Sequence, residues 1–476
     1  ANSLTTKEAK TGYVFEALSA HAQQTQAKAI ATLKAHNATY RSYWIANYIV
    51  ANGSSSAIAA VAALSDVERI AANPTVSNKL PTAETSRTPN TPAAATWGIT
   101  HINADDVWQT LNITGTGVII AGQDTGYKWD HEALKDSYRG WDGVSADHNY
   151  NWHDSIHSNG GVNTCGFDSP EPCDDFGHGT HTMGTMVGGN QSGTDIGVAP
   201  GAQWIACRNM DVGNGTPSTY LECFQWFLAP TNLADASPNP ALAPHVINNS
   251  WSCPTSEGCT TANFNLLQTA IENLTAAGVL VVASASNNGN NCAVVRTPPA
   301  MYDAAFAVGS FASGGNISSF SSFGPVTVDG SNRMKPDIAA PGSSVFSSTL
   351  TGYGNSSGTS MAGPHVAGVV ALMISANPSL AGNVTQIKQM LRDSAVPRTQ
   401  TANCGTDTNS SIPNNVFGHG EVDALAAVQA ALDFSPTAAE LTQTSTTTAT
   451  NNLLIITLVL VTMLGISGIV TRQEKK

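Results

Sequence analysis

Short apolar runs alternate with helical patterns between residues 97 and 433, and this alternation constrains the fold more than any other feature. The runs are rich in β-branched residues and occupy 118–123, 204–208, 245–250, 278–284 and 304–310. One helical pattern precedes the fourth run and consists of Phe264, Leu267, Ile271 and Leu274, with Gly278 placed to end the helix. Strands that alternate with helices predict an α/β fold, a doubly wound and mainly parallel sheet with helices on both faces.

Polar residues that directly follow such strands are the first candidates for a functional site, because ligands bind beyond the carboxyl ends of parallel strands. Asp124 follows the first run in VIIAGQDTG, 118–126. A carboxylate at this edge can orient a histidine and stabilise its cation. An aspartate that merely caps a turn is the alternative.

A second motif, DDFGHGTHTMGTMVGG at 174–189, sets His178 between two glycines. Glycines permit close approach to the imidazole, and a histidine with a pKa near its ordinary value of about 6.5 is suited to act as a general base. His181 lies three residues further and shares a helix face with it. Metal binding or a buried structural histidine is the alternative, although no third ligand stands at zinc spacing. His148, His153 and His157 are predicted to be surface residues.

The third motif is SSGTSMAGPHVAGVVAL, 356–372, in which Ser360 follows a glycine-rich turn at the start of a helix. The free N–H groups of a helix start favour negative charge, whereas a helix-capping serine is the alternative. A competing reading uses GNSSG at 354–358, which fits the nucleophile elbow of esterases with Asp393 and His419 in the right order. That elbow requires a preceding strand, and 354–358 is predicted to be a polar turn.

The order Asp124, His178, Ser360 is that of the subtilisins. With GVAPGAQW (197–204), VINNSW (246–251) and KPDIAAPG (335–342), these motifs resemble the subtilisin-like serine proteases. WGITHINADDVW (97–108) and VINNSW look most like the bacillopeptidase F branch. The resemblance covers about 97–433. Residues 1–80 more weakly resemble the inhibitory propeptide of that family.

The resemblance implies a serine endopeptidase that acts through an acyl-enzyme, with Ser360 as nucleophile, His178 as base and then acid, and Asp124 as orienting acid. It places the oxyanion-hole asparagine at Asn287, although the adjacent Asn288 competes because Ser286 stands where the family usually has glycine.

The wall of the substrate pocket also departs from the family pattern. Its candidates are Ser250, Trp251 and Ser252, and Trp251 is expected to narrow or reshape the pocket. The family needs no cofactor for catalysis. Structural calcium is common in it, but the sequence assigns no ligands.

The region before the peptidase unit is predicted to be a propeptide-like inhibitor and chaperone domain, 1–80, followed by a linker and processing zone, 81–96, that contains three prolines. Within 1–80, an Ala-rich helical stretch leads to a strand in YWIANYIVANG. A helix in SSSAIAAVAAL and a strand in VERIA follow. The unit is therefore expected to be a small α+β domain.

The region after the peptidase unit begins with a Ser/Thr-rich stalk, 434–452. Residues 453–470 are uncharged and, as a helix, would extend about 27 Å, near the hydrocarbon thickness of a bilayer. Arg472, Lys475 and Lys476 lie in the final segment, 471–476, which predicts a cytoplasmic tail and an outward-facing enzyme anchored by one C-terminal helix.

Composition agrees with an extracytoplasmic protein that acts on polypeptides. The net charge of −13 argues against nucleic acid as a partner. Eight cysteines in an even count suit disulfides, with Cys165–Cys173 and Cys253–Cys259 each able to close a small loop. The sequence therefore predicts a membrane-anchored serine endopeptidase made as a zymogen, and a catalytically silent surface scaffold on the same fold is the alternative.

Overall fold

The structure is a computed structural model, and it describes residues 1, 4–77, 79–82, 84–85, 95–158, 163–189, 193–254, 259 and 261–435. The predicted stalk from residue 436 onward, the membrane segment Leu453–Val470 and the tail lie outside the described residues, as do residues 86–94 of the predicted linker.

Helices and strands follow one another along most of the described chain. The helices are α1 Lys7–Thr25, α2 Ala27–Ala35, α3 Ser55–Ala62, α4 Trp97–His101, α5 Ala104–Leu111, α6 His178–Val187, α7 Pro217–Leu228, α8 Thr261–Ala276, α9 Thr359–Ala376, α10 Val384–Asp393 and α11 Ala424–Asp433. The strands are β1 Thr39–Tyr43, β2 Tyr48–Asn52, β3 Val76–Ser77, β4 Glu84–Thr85, β5 Ile119–Asp124, β6 Trp152–Asp154, β7 Gln203–Arg208, β8 Asn214–Gly215, β9 Val246–Asn249, β10 Leu280–Ser284, β11 Phe306–Phe311, β12 Ile338–Pro341, β13 Val345–Thr349 and β14 Gly352–Ser356.

A seven-stranded sheet in the order β12-β11-β10-β9-β5-β7-β6 forms the centre of the described chain. Each neighbouring pair in it is parallel. The five predicted strands are present as β5, β7, β9, β10 and β11, so the predicted α/β sheet is confirmed. Because β5 is flanked by β7 on one side and β9 on the other, its carboxyl end lies where the strand order reverses, which is where such sheets bind ligands.

Helices cover both faces of the sheet, and alternate residues of each strand enter two separate cores. Val246 and Val282 pack with α9 on one face, whereas Ile247 and Val281 pack with α7 and α8 on the other. This alternation explains why the strands read as continuous apolar runs: both of their faces are buried. In α8, Leu267, Ile271 and Leu274 are buried as predicted, and the Phe264 side chain lies outside the described part. Gly278 has φ +84 just after the helix end.

Residues 1–80, here called the front unit, contain α1, α2, the hairpin β1–β2 and α3. The prediction of one strand in YWIANYIVANG is wrong, because the chain reverses between Tyr43 and Tyr48. Asn47 permits the reversal with a left-handed φ of +47. The hairpin loop also contacts the body: the N–H groups of Trp44 and Ile45 donate to Gln225 Oε1 at 2.7 and 3.2 Å.

The predicted strand in VERIA is absent: residues 67–71 have no regular secondary structure, and Ile70 is 47% exposed. A strand needs a partner, and the partner is found further along, where β3 pairs antiparallel with β8 of the body. The predicted linker also contains structure, since β4 pairs antiparallel with β14.

All eight cysteines form disulfides, which supports an oxidising compartment. The pairs Cys165–Cys173 and Cys253–Cys259 were predicted as possible small loops. The other two are Cys207–Cys223, joining β7 to α7, and Cys292–Cys404, whose partners are 112 residues apart.

Within the described residues, one helix has the length and apolarity of a membrane span. It is α9, and 89% of its apolar window is buried inside the protein. A helix that is apolar on every side and buried in this way is a core helix.

Candidate active site

Asp124 and His178 meet at the carboxyl edge of the sheet. Asp124 is the last residue of β5, and His178 is the first residue of α6. His178 Nδ1 lies 2.8 Å from Asp124 Oδ1, and the two residues are 2% and 1% exposed. Because the carboxylate accepts a proton at Nδ1, the imidazole is held in the tautomer that leaves Nε2 free to accept one. His178 Nε2 is buried and has no hydrogen-bond partner among the described residues.

Asp174 fixes the start of α6 against the end of β5, a role that the sequence reasoning missed. Its Oδ1 accepts hydrogen bonds from the Thr125 hydroxyl at 2.9 Å and the Gly177 N–H at 2.7 Å. Its Oδ2 accepts from the backbone and hydroxyl of Thr180. Burial raises the pKa of the Asp174 carboxyl. A carboxylate three residues before the helix start was the available signal.

A glycine at 179 is required for this close approach. A Cβ at Gly179 would lie 2.1 Å from the Gly126 carbonyl oxygen, and only a residue without a side chain avoids that contact.

His181 lies on the same helix but does not share the chemistry of His178. It is 1% exposed, and its Nε2 lies 3.1 Å from the Val345 carbonyl oxygen and 3.2 Å from that of Gly354. Burial lowers its pKa to about 4, so the ring is neutral at pH 7. His181 therefore connects α6 to β13 and β14.

Ser360 lies in the first turn of α9 and is 3% exposed. Its hydroxyl donates to the Ser250 carbonyl at 3.1 Å, while the Ser250 hydroxyl donates to the Ser360 carbonyl at 2.8 Å. Asn248, another residue missed at the sequence level, donates to the Ser250 hydroxyl at 2.9 Å. These bonds attach the start of α9 to the end of β9.

Asn287 contacts the start of the same helix. Its Oδ1 accepts from both the N–H and the hydroxyl of Thr359, each at 2.9 Å. A Cβ at Gly358 would lie 3.3 Å from Asn287 Nδ2, so the amide nitrogen faces the turn before Ser360. Asn288 instead donates to Ser322 and Val294. The contacts thus favour Asn287 over Asn288 as a donor near Ser360.

Ser286, which departs from the family pattern, has φ +83, a conformation that glycine adopts without strain. Its hydroxyl lies 3.0 Å from the Thr297 hydroxyl, and its carbonyl accepts from the Ser322 N–H. The serine thus keeps the backbone path of a glycine and adds a buried hydrogen bond.

The predicted pocket wall, Ser250 to Ser252, follows β9. The expected narrowing by Trp251 is replaced by a different arrangement: its ring is 2% exposed and stacks on Tyr220 at 4.0 Å and 10°. Ser252 is half-buried. Cys253, held by its disulfide and by an N–H bond to the Pro298 carbonyl, ends this wall.

A segment between the front unit and the body crosses the site. It pairs with β8 through β3 and with β14 through β4. Between the two strands, Pro81 lies next to the turn before Ser360, since a Cβ at Gly358 would lie 2.6 Å from Pro81 Cγ. The segment therefore covers the edge at which Asp124, His178 and Ser360 meet.

The esterase reading is not supported by the positions of its residues. Residues 352–356 form strand β14 rather than the predicted polar turn, but the Ser356 hydroxyl is buried and has no partner among the described residues. Asp393 is exposed and accepts from Gln389, whereas the His419 N–H donates to Asp337.

Three histidines predicted to be surface residues are not exposed. His148 is half-buried, and its Nδ1 lies 2.9 Å from the Tyr138 hydroxyl. His153 and His157 both direct Nε2 at Glu222 Oε1, at 3.0 and 2.7 Å. Glu222 also accepts the Tyr43 hydroxyl of the front unit. These bonds hold the pKa of Glu222 below its usual range.

Metal ligands are not evident at this edge. No group of three or more His, Cys, Asp or Glu side chains that could hold a metal ion occurs in the part of the chain that the structure describes. Calcium ligands therefore stay unassigned.

The fold and the site together are those of a serine hydrolase built on a parallel α/β sheet. The model of the Subtilase family matches residues 115–420. The chain is 33% identical over 408 residues to Bacillopeptidase F of Bacillus subtilis (strain 168), covering 82% of this chain and 26% of the relative. It is 31% identical over 338 residues to Subtilisin Savinase of Lederbergia lenta, covering 70% of this chain and 98% of the relative.

A third relative, M-protease of Shouchella clausii (strain KSM-K16), is 31% identical over 370 residues, which cover 76% of this chain and 77% of the relative. The chain belongs to the subtilase family of serine-type endopeptidases. The predicted family is thereby confirmed, and the matched region lies inside the predicted peptidase unit, 97–433. The chain spans about a quarter of the length of Bacillopeptidase F.

Proposed function

We propose that this chain hydrolyses peptide bonds with Ser360 as nucleophile, His178 as general base and then acid, and Asp124 as orienting acid. The observation that carries the proposal is the buried Asp124–His178 pair, whose Nδ1–Oδ1 distance is 2.8 Å and whose free Nε2 faces no other described partner. An orphaned buried acceptor is costly, and a proton from a serine satisfies it.

In the first step, the Ser360 hydroxyl leaves its bond to the Ser250 carbonyl and transfers its proton to His178 Nε2. Ser360 Oγ then forms a bond with the scissile carbonyl carbon. The C–N bond breaks, and His178 returns the proton to the leaving amine. Water attacks the acyl-enzyme, with His178 again as base, and the ester bond to Oγ breaks to release the acid. Asp124 stays ionised and stabilises the imidazolium.

Asn287 is the proposed oxyanion donor, together with the Ser360 N–H at the start of α9. Support comes from the two bonds of Thr359 to Asn287 Oδ1, which fix the amide so that Nδ2 remains available near Gly358. A donor that is fixed before the reaction stabilises the charge of the tetrahedral intermediate without further reorganisation.

The front unit is the proposed intramolecular inhibitor, and the linker 81–96 is the proposed processing zone. The pairing of β3 with β8 and of β4 with β14 supports this role, because a strand bound on both sides of Ser360 excludes another polypeptide. The front unit also contributes Val14, Leu18 and Ile45 to the core that contains α7 and α8.

Outward location and membrane anchoring through residues 453–470 complete the proposal. Complete pairing of the cysteines supports an extracytoplasmic enzyme. The predicted apolar segment supports the anchor by its composition.

Covalent labelling with a fluorophosphonate, followed by mapping of the modified serine, tests the mechanism. Label on Ser360 is the expected result, with Ser360→Ala as the unlabelled control. Label on Ser356 would favour an esterase. A folded chain freed of its front unit that takes no label would favour the catalytically silent scaffold.

A further inference from the structure

Tyr220 of α7 and Trp251 lie beneath the strand edge that receives the crossing segment. We propose that this aromatic pair is the floor of a shallow subsite that admits a small apolar substrate side chain opposite Gly215 and excludes aromatic ones. The proposal rests on the proposed function, because it assigns the substrate preference of the same crevice.

The position of Tyr220 limits the depth of the subsite. A Cβ placed on Gly215 would lie 2.5 Å from the Tyr220 hydroxyl oxygen and 2.6 Å from Cζ. Tyr220 is itself 0% exposed, so its ring directly underlies the backbone of β8. The glycine at 215 is therefore required by the ring, and little space remains below the strand.

Trp251 holds the tyrosine ring in this position. The two rings stack with centroids 4.0 Å apart and an interplanar angle of 10°, and Phe224 contacts the far part of Trp251 at 6.2 Å. Trp251 follows Ser250, whose carbonyl accepts the Ser360 hydroxyl. One rigid stack thus lies between the β8 edge and the wall next to the nucleophile.

Strand geometry determines which substrate residue meets this floor. In β3–β8, Val76 is the residue opposite Gly215. Residues directly opposite each other in an antiparallel pair project to the same face, about 5 Å apart at Cβ. A substrate residue that takes the place of Val76 therefore projects toward the ring of Tyr220. Valine is a small residue, and the chain's own segment carries it at this position.

The experiment compares cleavage by the self-processed full chain with that by Tyr220→Ala and Trp251→Leu variants. The substrates are peptides randomised over the six residues before the cleaved bond. Phe224→Leu is the matched control, because Phe224 belongs to the same cluster without underlying Gly215. The wild type should cleave Val or Ala over Phe at one of these positions by about 10-fold or more in kcat/KM.

Tyr220→Ala should raise kcat/KM for Phe at that position alone by about 10-fold or more, because the ring that fills the space is gone. Trp251→Leu should give a smaller gain at the same position, and Phe224→Leu none. Tyr220→Leu replaces Tyr220→Ala if the latter does not fold.

Equal cleavage of Val and Phe peptides by the wild type would overturn the subsite and leave the proposed function intact. A folded Tyr220 variant with an unchanged profile would do the same. A wild type that cleaves no peptide and takes no fluorophosphonate label would instead overturn the proposed function, so the two failures are distinguishable.

Discussion

Lys7, the first residue of α1, places a cation where it has almost no access to water. It is 2% exposed, and its Nζ donates to the Ala243 carbonyl of the body at 2.5 Å. The Glu8 carboxylate is 4.0 Å away and belongs to a side chain that is 57% exposed. Burial, reinforced by the positive charge of Arg139, lowers the pKa of Lys7 from 10.5 to about 8. The docked front unit is therefore expected to respond to alkaline pH.

The direction follows from proton binding. Between pH 8 and 10.5 the unfolded chain keeps the Lys7 proton while the folded chain has lost it, so the free energy of unfolding rises with pH across this window. The difference between the two pKa values corresponds to about 3 kcal/mol in total. Below pH 8 both states are protonated, and Lys7 contributes no further pH dependence.

The assay is urea unfolding followed by circular dichroism at pH 7, 8, 9 and 10, in chains that also carry Ser360→Ala to prevent digestion. The difference in unfolding free energy between the Lys7 and Lys7→Met chains should change by about 2–3 kcal/mol between pH 8 and 10, because methionine binds no proton. Lys28→Met, at a side chain that is 71% exposed, is the control and should give a constant difference. Parallel curves for Lys7 and Lys7→Met would refute the reasoning.

The remaining predictions concern catalysis and processing. Asn287→Ala should lower kcat by about 10²–10³-fold with little change in KM, a loss known from a subtilisin rather than derived from this structure; the same loss in Asn288→Ala instead would reassign the donor. Ser360→Ala should accumulate as a chain that retains the front unit, as N-terminal sequencing can verify, whereas cleavage within 81–96 without any other protease would exclude self-processing. Truncation before Ser435 should release active enzyme from the membrane fraction, because the segment beyond contributes no proposed catalytic group. A truncated enzyme that folds without activity would show that this segment does more than tether.

The crossing segment illustrates what local patterns cannot reveal. Strand β3 is two residues long and carries no apolar alternation, so it exists only because β8 offers a free edge. The same reason explains the missing strand at 67–71, which reads as a strand but finds no partner. Short strands depend on their neighbours more than on their own residues.

Charged and aromatic side chains show the same limit. The sequence places His153 and His157 in a polar loop, and only the fold brings Glu222, about 65 residues away in the chain, to their Nε2 atoms. Trp251 likewise was expected in the pocket, but the proximity of Tyr220 draws its ring into the core. Burial of a long side chain is decided by the surface that the rest of the chain presents to it.

The sequence by itself determined the central sheet, because its strands are buried on both faces and each therefore carries a continuous apolar run. It also determined where Asp124, His178 and Ser360 stand, since each follows a strand or begins a helix, and these boundaries are marked locally by glycines and small residues. Only the tertiary structure decided which of these ends meet, how Asp174 and Thr359 hold them, and which cysteines join across 112 residues. Such contacts depend on the path of the whole chain, and residues far apart in sequence carry no local signal of one another.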